Sequence, residues 1–96
     1  MIGVTAKLPI QDGKQAEFEQ TFKDLMAKVK ANEPGCTMYQ LYKVKGSDTD
    51  YVVMETYASE EALAAHGQTD YFKAAQPALG GVLAGAPTIE VYEIVE

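Results

Sequence analysis

Residues Met1 to Leu8 alternate, with Ile2, Val4, Ala6 and Leu8 on one face and Gly3, Thr5 and Lys7 on the other. A period of two predicts a half-buried strand, stopped by Pro9. After a Gln11-Asp12-Gly13 turn, Phe18, Phe22, Leu25, Met26 and Val29 form one apolar stripe at the 3.6-residue period, which predicts an amphipathic helix. Glu17, Glu19 and Asp24 lie in its earlier part and Lys28 and Lys30 in its last turns, the sense the helix dipole prefers. Asn32 to Gly35 ends it, with Pro34-Gly35 as the stop.

Thr37 to Lys45 and Tyr51 to Ala58 are β-rich runs around the polar Gly46–Asp50 segment, the pattern of a hairpin. Ser59 then caps a helix with Glu60 and Glu61 in its first turn and Ala62, Leu63 and His66 on one side. Gly67 interrupts, Thr69 caps again, and Phe72, Ala75, Leu79, Val82 and Leu83 continue an apolar stripe. Pro77 and Gly80-Gly81 predict that this second helical region is broken or frayed rather than one rod. Gly85-Ala86-Pro87 ends it, and Thr88 to Val95 reads as a last strand. The order β-α-β-β-α-β predicts an α+β fold. It is the ferredoxin-like unit, a four-stranded antiparallel sheet with two helices on one face, in a single domain over 1–96.

Two helices cover one sheet face, so the other should be polar on every strand. Here Met38, Tyr42 and Val44 oppose Tyr39 and Leu41; Tyr51, Val53 and Tyr57 oppose Val52 and Met54; and Ile89 and Val91 oppose Tyr92 and Ile94. Large apolar side chains on both faces predict a symmetric homodimer with the two sheets stacked.

Charge narrows the partners. Eight cations against fourteen acids give −6, and all eight cations are Lys. An acidic chain without guanidinium groups is a poor match for nucleic acid or an anionic membrane surface. The N-terminal run lacks a basic segment followed by an apolar stretch of signal-peptide length, and no apolar run approaches the ~20 residues of a membrane span. A cytoplasmic protein is the expectation. The lone Cys36 excludes an intramolecular disulfide and Cys-clustered metal sites. No dinucleotide fingerprint, phosphate loop, nucleophile elbow or metal-spaced His/carboxylate cluster is present, so activity is expected to need no cofactor.

Few residues are left to carry chemistry. His66 is the only histidine, the one side chain whose ordinary pKa lies near neutrality. On an inward stripe it suits deprotonation of a phenol or enol, or else a structural role bonded to a carbonyl or carboxylate. Glu55, mid-strand, is either half-buried with a raised pKa and able to orient His66, or part of a cross-strand ion pair such as one with Lys43. The six tyrosines are core or pocket walls. Cys36 has no local group to activate it and reads as a small buried hydrophobe.

Glu33-Pro34-Gly35-Cys36 leading into a Tyr-containing strand resembles a segment of the antibiotic biosynthesis monooxygenase family. Tyr51-Val-Val-Met-Glu55-Thr-Tyr57 is similar to that family's strand ending in Glu-x-aromatic. Ser59-Glu-Glu61-Ala-Leu63-Ala-Ala-His66-Gly-Gln-Thr69-Asp-Tyr-Phe72 follows its pattern of acidic residue, Ala-Leu, His, Thr and Phe. The resemblance implies a ferredoxin-like fold in a dimeric α/β barrel. It also implies cofactor-independent monooxygenation of a quinol or related activated aromatic, with dioxygen as co-substrate. His66 would be the base, with Tyr71 and Glu55 as supporting groups. Tyr57 stands where members often have Trp, and Tyr71 where many have a second His. The chain has no Trp and only Asn32 as Asn, which argues against the family's haem-degrading branch. A non-catalytic dimeric small-molecule binder, and a cofactor-free isomerase using His66 for proton transfer, stay open beside the oxygenase.

Overall fold

In the computed structural model, which describes residues 1–96, the alternating N-terminal run forms β1 (Ile2–Pro9), with Ile2, Val4 and Ala6 buried on one face. The apolar stripe becomes α1 (Gln15–Asn32), burying Phe18, Phe22, Leu25 and Val29. The hairpin strands are β2 (Cys36–Lys43) and β3 (Asp50–Tyr57), and Gly46 in the turn takes a positive φ of 87°. Two short helices follow, α2 (Glu60–Gly67) and α3 (Asp70–Gly80), and β4 (Thr88–Glu93) ends the fold.

The second helical region breaks at Gln68-Thr69. Thr69 accepts from the Phe72 amide at 3.3 Å and donates to the His66 carbonyl at 2.9 Å, so one side chain ends α2 and begins α3. Pro77 does not break α3. It lies close to the helix C-terminus and removes a single donor there. The last strand stops at Glu93, two residues short of the sequence reading.

All strand pairs are antiparallel, in the order β2-β3-β1-β4. The ferredoxin-like α+β fold is thus as expected, with three helices because the second one is split. Register places Val4 beside Glu55 and Val91, and Tyr39 beside Glu55, all on the helix side. Phe22 stacks on Tyr39 at 5.5 Å and Phe18 packs on Tyr51 at 4.9 Å, tying α1 to the hairpin.

The helices do not cover the whole of their face. α1 packs on β2 and α2 on β3, leaving edge strand β4 bare. Ile89 and Val91, on the helix side, are 62% and 60% exposed. On the opposite face Met38, Tyr42, Met54 and Tyr92 are exposed, so the sheet is apolar on both sides. No helix is long and apolar enough to cross a membrane.

Candidate functional site

Because the helices sit over β2 and β3, a cavity of about 310 Å³ opens between them and the β1 side of the sheet. Val4, Ala6 and Val53 form its floor, Phe22, Leu25, Phe72 and Leu79 its helical walls, and Ile89 its outer edge. Four of its lining side chains carry polar atoms: Tyr39, Glu55, His66 and Gln76.

His66 occupies the last turn of α2 and is buried. Its ring lies among Phe72, Tyr39 and Tyr57, at centroid distances of 4.7, 5.1 and 5.6 Å. Nδ1 is 3.0 and 3.1 Å from the two carboxylate oxygens of Glu33. The Tyr71 hydroxyl donates to the same carboxylate. Nε2 has no protein partner, yet no buried side-chain nitrogen or oxygen is orphaned, so this atom keeps access to the cavity that the ring lines.

The chain brings Glu33 and His66 together by close packing at Gly35. A Cβ built on Gly35 would lie 2.9 Å from the Ala62 Cβ, so only glycine lets the turn after α1 approach α2 this closely. The Gly35 carbonyl also accepts from the Ala58 amide at 2.8 Å, anchoring that turn to the end of β3.

Glu55 points to the same cavity from β3. Burial raises its pKa above the ordinary carboxylate value, against the lowering effects of a hydrogen bond from Tyr57 and the nearby His66. The Tyr57 hydroxyl donates to Glu55 Oε1 at 2.5 Å, and burial next to that carboxylate pushes the phenol far above its usual range. The Tyr71 phenol is pushed up to about 12, by burial first and then by its bond to Glu33.

Of the residues singled out in the sequence, His66 and Glu55 line one cavity, whereas Tyr71 does not and reaches the site through Glu33. Glu55 makes no pair with Lys43, which lies 3.7 Å from Glu19 while Tyr51 donates to that same carboxylate. Glu33 was missed as a site residue. The available signal was its place at the C-cap of α1, where the helix dipole disfavours a negative charge. Cys36 is half-buried, its Sγ 3.3 Å from the Met38 carbonyl, and burial raises the thiol to about 11. No three His, Cys, Asp or Glu side chains converge at metal-binding distance.

Chemically, the site offers an imidazole and a carboxyl biased towards its protonated form. Both face an apolar chamber sized for a small aromatic molecule.

Comparison with known proteins agrees with this architecture. The family model described as antibiotic biosynthesis monooxygenase matches residues 1–78. A Caulobacter crescentus protein, itself provisionally assigned as an antibiotic biosynthesis monooxygenase, is 58% identical with a TM-score of 0.96, over 99% of this chain and 90% of that one. A conserved Methanosarcina mazei protein is 28% identical with a TM-score of 0.89, over 95% and 89% of the two chains. A Bacteroides thetaiotaomicron protein of unknown function, described as a possible oxidoreductase, is 20% identical with a TM-score of 0.88, over 97% and 96%, a likeness of fold alone. No curated protein matches the sequence.

Proposed function

We propose that this chain, which belongs to the antibiotic biosynthesis monooxygenase family, is a cofactor-independent monooxygenase acting on a quinol or related activated aromatic. The observation that carries the reading is His66, held at Nδ1 by Glu33 with Nε2 facing an apolar cavity of about 310 Å³.

In this reading Nε2 removes a phenolic proton from the bound quinol. The resulting phenolate is electron-rich enough to reduce dioxygen by one electron, and the radical pair combines at a ring carbon. Loss of water from that hydroperoxide leaves a hydroxyquinone. One oxygen atom stays on carbon and the other leaves as water, the ring supplying all four electrons. The protein's share is to take the proton, to keep the anion away from bulk water, and to give Glu55 as a hydrogen-bond partner for a substrate oxygen. Tyr71 supports the base through Glu33 rather than by touching substrate.

The apolar outer sheet face, with Met38, Tyr42, Met54 and Tyr92 exposed, favours two copies stacked sheet to sheet.

The test is dioxygen uptake by metal-free protein with a panel of reduced naphthoquinols and anthrone-like phenols, corrected for autoxidation. Uptake that is lost in His66→Ala, with the fold intact, supports the reading. Undiminished uptake in that variant removes His66 as the base. Turnover of the same compounds under nitrogen would replace the oxygenase with an isomerase.

A further inference from the structure

We propose that Glu33 is a positioning residue that fixes the tautomer of His66, holding the ring proton on Nδ1 and the lone pair on the cavity-facing Nε2. The inference deepens the oxygenase reading, and rests on it only where turnover is the readout.

The geometry carries it. Both carboxylate oxygens lie within 3.1 Å of Nδ1, and the two side chains are only 6% and 10% exposed. A carboxylate accepts hydrogen bonds and donates none, so the partner nitrogen must be the protonated one. Tyr71 also donates to Oε2, and a hydroxyl donor there favours the same acceptor-only state of Glu33. Two donors therefore converge on one carboxylate, and the neutral ring is left with its acceptor turned to the cavity. The location argues in the same direction. Glu33 closes α1 at the end where a negative charge is unfavourable, and the glycine at 35 that brings it against α2 leaves no room for a Cβ. A merely structural contact would need neither the acid at a helix C-cap nor the second donor.

The experiment exploits the single histidine. In tag-free, ¹⁵N-labelled protein, one imidazole contributes ring-nitrogen signals. On the alkaline side of its titration, wild type is expected to show a protonated Nδ1 and a lone pair on Nε2. Glu33→Met removes the acceptor and is expected to release the ring into mixed tautomers, with kcat for any turned-over quinol down on the order of a hundredfold and KM little changed. Glu33→Gln keeps an acceptor oxygen for Nδ1 and a donor for Tyr71, so it should retain the tautomer and lose less activity than Glu33→Met. The proposal is overturned by a wild-type ring protonated at Nε2, or at both nitrogens throughout the pH range of the fold. It is equally overturned by a Glu33→Met ring still locked as Nδ1–H, or by Glu33→Met turning over like wild type while His66→Ala is dead. If Glu33→Met does not fold, the wild-type spectrum still decides. If wild type turns over nothing, the oxygenase reading fails while the tautomer measurement stands by itself.

Discussion

Gly35→Ala tests whether the close approach of the turn after α1 to α2 builds the site. A new Cβ would meet the Ala62 Cβ at 2.9 Å, against an ordinary carbon–carbon contact of about 3.5–4.0 Å, so the elements must part by roughly 0.6 Å or more. Neither atom belongs to a flexible side chain, and overpacking of this kind costs about 1–3 kcal/mol. The backbone at Gly35 is not in the left-handed region, so alanine also stabilises by restricting the unfolded chain, by about 0.4–1 kcal/mol. Taking the middle of both ranges, the net expectation is a loss of about 1.3 kcal/mol, which is a fall in Tm of roughly 5–10 °C for a chain of this length. Thermal and urea unfolding followed by circular dichroism measure it. Ala62→Gly, costing up to about 1 kcal/mol through helix propensity, removes the other atom of the clash. The double variant should therefore be more stable than Ala62→Gly alone by the roughly 0.4–1 kcal/mol of the unfolded-chain effect, a strongly non-additive cycle. A Gly35→Ala protein as stable as wild type, or effects that simply add, would refute the packing argument.

Other consequences concern charge, reactivity and assembly. Burial raises the folded pKa of Glu55 above its unfolded value, so the stability it contributes is fully present below the unfolded pKa and is lost as pH rises through the folded one. Glu55→Gln, which can still accept from Tyr57, should abolish that loss and be more stable than wild type at neutral pH; a difference between the two that does not vary with pH contradicts it. Cys36, with its thiol near 11, has a thiolate fraction at pH 8 roughly two-hundredfold below that of free cysteine. Alkylation of the native protein should be at least about tenfold slower than of the urea-unfolded chain, and equal rates would refute the burial assigned to it. Met54→Glu puts a charge on the exposed outer face of the sheet. Light scattering should then fall from twice the chain mass of 10.4 kDa to that mass, and an unchanged dimer would show that copies associate elsewhere.

The elements were legible wherever local pattern decides them. The Phe18-Phe22-Leu25-Val29 stripe is the buried face of α1, Thr69 is the cap that restarts the helix, and the face away from the helices exposes apolar side chains as the alternation implied. What local pattern does not carry is which side chains meet across the fold. Glu33 and His66 are 33 residues apart and meet through the Gly35 approach, which hydropathy does not encode. Tyr71 could be picked out beside His66, but its bond to Glu33 depends on how α3 lies against the end of α1. The Glu55 partner is Tyr57, two residues along the same strand and therefore on the same face. Lys43 was an equally reasonable partner by charge, but its register lies opposite Tyr51, within reach of Glu19. The bare helix side of β4 follows from strand order: the edge strand lies beyond the reach of helices seated on β2 and β3.

In the proposed reaction His66 removes a proton so that the substrate itself reduces dioxygen. Its most direct test is a turnover in ¹⁸O₂ with metal-free protein and the quinol giving the fastest uptake, followed by mass spectrometry of the product. One ¹⁸O atom should appear on carbon and the other in water, with no enzymatic product from His66→Ala. Product without ¹⁸O, or labelled product formed equally well without His66, would contradict it.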